Sequence, residues 1–426
     1  MILSIAGILI SMALFILLSM KKWNVALISI AASLILMLFN GVDPIYGFAN
    51  EFSAGLGSFA SKWWMMFALG AVFGKVTQDT GISEKIAMIL VTKLRCNSVL
   101  AVLIISLVMS YGGISTFVIA FTVYPIASEL FAKDKIDTAF MPAVMLFCPT
   151  TLAMTMLPGT PSVQNIIPTT YLNTDIYAAP LVGLFASAVT FMLGYTYLKH
   201  KSGIRSKERR KDPLISDGIK KSDYLCFLPC ICLWLISFLL VKFKMDSQAA
   251  VEISLVCGIV LCIVIGRKKD KIMGALSEGI QNGLKTLIIT STVMGYGNLV
   301  TSMPAFSEIT DKLYMMFDNE LLSSIFSVNI IAALTGSSTT SLQLLFDAFA
   351  DKLAASSFSA DCIHRVMAIA SGGLDSMPYA TGVVVANDLA ATEQSKTYKH
   401  IFITCAVIPL FSLSLSVLII YVTQGI

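Results

Sequence analysis

The chain has little charge for its length: Asp, Glu, Lys and Arg make up 13% of 426 residues, and histidine occurs three times. A soluble domain carries about 25% charged residues, so the polar coat of such a domain is missing. The nine cysteines show no CxxC spacing, and no metal or cofactor is expected. Cys226, Cys230 and Cys232 fall on an apolar run, where free thiols face the core or lipid. No basic stretch precedes the first apolar run and no A-x-A-like site follows it, so it is expected to be a retained helix rather than a cleaved signal peptide.

What is present is apolar. Hydrophobic residues make up 56% of the chain, with a mean hydropathy of +0.80. Ile2–Met20, Val25–Phe39 and Ile401–Val422 approach or reach the length that crosses a hydrocarbon layer. The expected class is an all-α polytopic membrane protein. The net charge of +4 does not point to nucleic acid: nine Lys and Arg residues lie from Lys199 to Lys221, against Glu208, Asp212 and Asp217. Such a cluster marks a cytoplasmic loop, or a lipid or regulatory contact surface.

An internal repeat is visible. Gly74 in GAVFGKV and Gly297 in VMGYGNLV are each followed 39 residues later by a small polar cluster, YGGIST at Gly113 and TGSSTTS at Gly336, an offset of 223 residues both times. Pro158 in MLPGTPSVQN and Pro378 in LDSMPYATG stand 220 apart. Two inverted-topology repeats are expected, 1–198 and 223–426, joined by a basic linker at 199–222. Each would hold five crossings, one re-entrant hairpin and one broken helix, the pattern of carriers built from inverted copies. With the linker inside, Lys21, Lys85, Lys135, Lys271 and Lys396 also come out inside, and both termini and the segment 308–320 outside.

The hairpins are expected at Ser98–Phe131 and Leu321–Phe349, with tips at 111–116 and 335–341. Non-helical backbone at membrane depth survives only against protein or a water-filled cavity, so tips and breaks are expected to face a site. In the first break, Pro158 and Pro161 cannot donate backbone hydrogen bonds, while Thr160, Gln164 and Asn165 offer side-chain partners. The substrate-binding candidates are Gly112, Gly113, Ser115 and Thr116, then Gly159, Thr160, Gln164 and Asn165, then Gly336, Ser337, Ser338, Thr339 and Ser376; the helix breaks are Pro158, Pro161 and Pro378. Helix amino termini created by the breaks would hold a carboxylate in spans that carry almost no basic residues. Small and hydroxylated residues also serve simply to pack membrane helices.

Asp375 is the acid most clearly placed in a broken membrane segment. Ionisable groups there mark ion or proton paths, so it is the candidate proton-coupling carboxylate; a helix cap or brace is the alternative. Lys75 either snorkels to the interface or attracts substrate. Trp63 and Trp64 suit an outer aromatic belt. His200, His364 and His400 all sit in or beside loop or segment-end positions, which weighs against a membrane enzyme, and no charged selectivity ring supports a channel.

ALGAVFGKVTQDTG, YGGISTFVIAFTVYPIASELF and LPGTPSVQNIIPTTY resemble the corresponding parts of the gluconate permease (GntP) family, a likeness that extends over most of the chain. The resemblance implies an ion transporter superfamily carrier with inverted repeats, hairpins and broken helices, working as a homodimer in the bacterial inner membrane. It also implies uptake of an organic acid, probably the cargo of a proton symporter. Gluconate carriers bear a His-Asn-Asp stretch late in the second half; GGLDSMPYATGVVV is closer to the branch resembling 3-hydroxybutyrate permeases, which shows a histidine where Tyr379 stands. A short hydroxy- or keto-carboxylate is the first expectation, gluconate or another sugar acid the second. Related sodium-coupled carriers use Ser-Asn-Thr at the hairpin tips, and neither tip here contains that triplet, which favours protons over sodium.

Overall fold

The computed structural model describes residues 2–21, 23–93, 96–114, 116–203, 221–266, 269–306, 319–378 and 380–424. Ser115, Tyr379, the linker from 204 to 220 and the segment 307–318 lie outside the described residues. Among the described residues every regular element is helical. That is the solution lipid imposes on a single span, because a helix pairs its backbone groups internally.

The first half contains α1 (Ile2–Met20), α2 (Val25–Asn40), α3 (Ser53–Asp79) and α4 (Ile82–Lys93). A hairpin follows, α5 (Ser98–Tyr111) and α6 (Thr116–Lys133). Next comes α7 (Met141–Phe147), which widens into π-helix over Cys148–Met156. After an open stretch the chain forms α8 (Val163–Ile166), α9 (Thr169–Leu172) and α10 (Pro180–Lys201). The second half contains α11 (Leu228–Lys242), α12 (Ser247–Ile265), α13 (Ile272–Ser302) and a second hairpin, α14 (Glu320–Thr335) and α15 (Ser338–Ala354). Last come α16 (Ala360–Ser371), an open stretch, α17 (Thr381–Leu389), α18 (Gln394–Phe402) and α19 (Ile408–Gln424).

Five helical segments are long and apolar enough to cross a membrane: Thr138–Met156, Pro180–Lys201, Asp223–Lys242, Ser247–Ile265 and Ser395–Val422. Ile2–Phe15, Val25–Asn40, Ser98–Tyr111 and Glu320–Ala333 are shorter apolar helices. The chain is a polytopic helical membrane protein. The offset of 223 carries α3 onto α13, and α5 and α6 onto α14 and α15. Packing follows the same pattern, with α2 against α13 as α12 is against α3.

The most extensive helix contact joins α3 to α13. They run antiparallel and very close: a Cβ on Gly279 would sit 2.7 Å from Val72 Cα, and one on Gly283 would sit 2.6 Å from the Phe67 carbonyl oxygen. Small residues permit this approach, and dispersion over the shared surface rewards it. At one end Lys75 Nζ meets Glu278 Oε2 at 2.8 Å and Asp79 Oδ1 at 3.3 Å. Its ammonium group therefore ties α3 to α13. Lys85 pairs with Asp223 at the same end. Trp63 departs from expectation: it is fully buried, while Trp64 is 48% exposed. Adjacent helical positions point about 100° apart, so only Trp64 reaches the outer surface.

Candidate functional site

The two hairpins turn where their glycines allow. Gly113 has φ 85° and Gly336 φ 61°, a left-handed backbone that glycine adopts without strain. Beyond Gly336 the Ser337 hydroxyl accepts from Thr340 N–H at 3.2 Å and so caps α15. The start of α15, the start of α6 and both open stretches surround a cavity of about 250 Å³. Its opposite wall comes from α1, α2 and α13 through Phe15, Val25, Ile289, Thr290 and Val293.

The cavity brings together many of the sequence candidates. Thr116, Gln164 and Gly336 through Thr339 line it, as do Asp375 and Ser376. Gln164 Nε2 donates to Ser338 Oγ and Thr339 Oγ1, both at 3.0 Å, and thereby joins the first break to the second hairpin. Asp375 is 7% exposed and accepts from Ser376 Oγ at 3.0 Å. The Ser338 hydroxyl is also hydrogen-bonded to this carboxylate. Thr150 and Met154, from the π-helical stretch, complete this wall and were not among the sequence candidates.

Other candidates stand behind the wall. Gly112 packs against Cys230, Gly113 against Leu233 and Pro161, and Gly159 against the Tyr177 ring. The first hairpin tip therefore rests on α11, and its contribution to the cavity among the described residues is Thr116. Thr160 and Asn165 are 1% and 0% exposed and face away from the space. The helix that opens after Pro161 is also shorter than expected: α8 has four residues before Pro168 interrupts it. One turn develops little dipole. The long helices that begin at the cavity are α6 and α15, with 18 and 17 residues.

Behind Gln164 lies a buried polar cluster that the sequence reading missed. Arg365, 0% exposed, donates from Nη1 to Asn165 Oδ1 at 2.8 Å, from Nη2 to Ile176 O at 3.1 Å, and from Nε and Nη2 to Ala178 O at 3.1 and 3.0 Å. Asn165 Nδ2 donates in turn to Thr160 O at 3.1 Å and Ile176 O at 2.9 Å. His364, expected at a segment end, is fully buried within α16, with Nδ1 2.7 Å from Thr174 Oγ1. His400 lies within α18, bonded to Tyr197 Oη at 2.8 Å. A sequence signal existed: Asp361, His364 and Arg365 share one face of a helix, at i, i+3 and i+4.

The arrangement offers hydroxyls, an amide and one carboxyl around an enclosed space, held in place by a rigid second layer. That is the makeup of a small-molecule binding site. Comparison with known sequences supplies its setting, because the sequence pattern of the GntP family permeases matches residues 3–224. The chain belongs to the GntP permease family. The permease is also 26% identical, over 444 aligned residues, to the uncharacterized transporter YxjC of Bacillus subtilis (strain 168), a match that covers 93% of this chain and 94% of that protein. A permease family, a transporter relative and apolar spans together make the protein a multi-pass membrane transporter rather than an enzyme.

Proposed function

We propose that this permease is a secondary active transporter that imports a short hydroxy- or keto-carboxylate by proton symport and alternating access. The observation that carries the reading is the cavity itself: Gln164, Thr116 and the hydroxyls from Ser337 to Thr340 surround it, with Asp375 in its wall. Neutral donors orient a carboxylate without a permanent counter-charge that would hinder release. One carboxyl beside the cargo gives a proton a place to ride. Drug-sized ligands occupy pockets of about 300–1,000 Å³, and a cavity of about 250 Å³ favours a short acid over a sugar acid.

The rest of the reading concerns architecture. Two inverted repeats, 1–198 and 223–426, supply ten crossings, and the bacterial inner membrane holds the linker on its cytoplasmic side. The shared offset of the helices and the Lys75, Lys85, Glu278 and Asp223 pairs gathered at one end support this arrangement. Purified protein screened against a panel of organic acids tests the cargo, and proteoliposomes with an imposed pH gradient test the coupling. A short carboxylate should bind and accumulate against its gradient when the outside is acidic. Tighter binding of gluconate than of any short acid would move the cargo to sugar acids, and accumulation that needs sodium instead of a pH gradient would overturn proton symport.

A further inference from the structure

α13 exposes two stripes of opposite character. Ile280, Leu284 and Ile288 are 45%, 39% and 49% exposed, an apolar row at four-residue spacing that suits lipid. Beside it Gln281, Asn282, Lys285 and Thr286 are also exposed, and polar groups turned to hydrocarbon are costly. One turn on, these polar rows continue into Ile289, Thr290 and Val293, which line the cavity. A polar track that ends in a polar cavity is a water-filled approach to it.

Lys285 is the cation on that approach. Its Cβ lies about 5–6 Å from that of Ile289, its i+4 neighbour, and it has no hydrogen bond or ion pair with another described residue. It is also far from either end of its helix, about 20 Å from Ile272 and about 25 Å from Ser302 at 1.5 Å per residue. That exceeds the half-thickness of a hydrocarbon core, about 15 Å, so the lysine is too deep to reach a headgroup layer. An ionisable residue at that depth has a function.

The first half carries its counterpart, since the shift of 223 residues maps Lys62 onto Lys285. Lys62 is engaged in this structure. Its Nζ donates to Thr170 Oγ1 at 3.3 Å and stands 5.0 Å from the Tyr171 ring centroid. Tyr171 Oη in turn donates to Asp347 Oδ1 at 2.5 Å. One lysine is held by the elements around the cavity and the other is free, as two inverted copies require when one side is shut and the other open.

We propose that Lys285 takes the cargo's carboxylate at the mouth of the cavity, and that Lys62 does the same at the opposite mouth once its contacts with Thr170 and Tyr171 release. This rests on the organic-anion reading above. The test is the KM for uptake and for efflux of the transported acid, in vesicles of defined sidedness, for wild type, Lys285→Gln, Lys285→Arg and Lys62→Gln. Loss of one charge-assisted hydrogen bond should raise KM at least about tenfold. Lys285→Gln should do so at one face, Lys62→Gln at the other, and Lys285→Arg should recover most of the affinity. A lysine with a merely structural role would alter melting temperature and leave both KM values alone. If the wild type transports and Lys285→Gln keeps both KM values, this proposal falls and the transport reading stands. If the wild type moves no carboxylate, both fall.

Discussion

Replacing Asn165 by alanine should unsettle the site from behind. Its amide is the joint between Arg365 and the first break: Oδ1 accepts from Arg365 Nη1 at 2.8 Å, while Nδ2 donates to Thr160 O and Ile176 O at 3.1 and 2.9 Å. Ile176 O keeps two donors in the variant, Gly159 N–H at 2.9 Å and Arg365 Nη2 at 3.1 Å. Thr160 O and one guanidinium N–H are left without a partner in a buried place. Each orphaned group costs about 1–3 kcal/mol, more when charged, so the loss of stability should be about 3–5 kcal/mol. Asn165 shares a single helical turn with Gln164, so the Gln164 amide should also lose its aim at Ser338. Reversible unfolding in mixed micelles measures the first effect, and a ligand titration measures the second, expected as about a tenfold weaker Kd. Asn165→Asp retains an acceptor for Arg365 and should lose less. A loss below about 1 kcal/mol for Asn165→Ala would refute the idea that this cluster braces the break.

Gly159→Val should insert normally yet bind no acid, because its Cβ would strike the Tyr177 ring; unchanged affinity in folded protein would show that the break tolerates movement there. Asp375→Asn keeps the shape and the bond from Ser376 but cannot titrate, so uptake driven by a pH gradient should collapse while exchange between two loaded sides persists. Normal proton-driven accumulation by that variant would remove Asp375 from the coupling step. For sidedness, a thiol at Glu320 should react with an impermeant maleimide from outside the cell and one at Asp270 should not; the reverse pattern would sink the inverted arrangement.

The hairpins were legible because their interruptions are local. YGGIST and TGSSTTS place glycine and hydroxyl side chains inside apolar runs, and the helices part there, at 112–115 and 336–337. Asp375 and Gln164 were legible for a similar reason, as polar residues beside prolines within membrane-length segments. The second layer was not, because its meaning is tertiary. Arg365 and His364 look like the solvent-facing side of a segment end until the loop from Thr174 to Ala178 folds over them and supplies their acceptors. The length of α8 was missed because Pro168 was weighed only as part of a motif; it also stops the helix after one turn. The π-helical stretch is a further case, since Pro149 lacks the N–H that an α-helical ladder would use.

The close seam between α3 and α13 also governs how the protein is made. Its two sides are separated by more than two hundred residues, so α3 enters the bilayer long before Gly279 and Gly283 exist to cover Val72 and Phe67. At a synthesis rate of about 5–20 residues per second, the wait is on the order of 10–45 s. During that time Phe67, Val72 and the Lys75 ammonium face lipid, translocon or chaperone. A ribosome stalled between the halves would leave a membrane-inserted but unfinished protein, so the quality-control machinery of the cell has a defined window in which to recognise it.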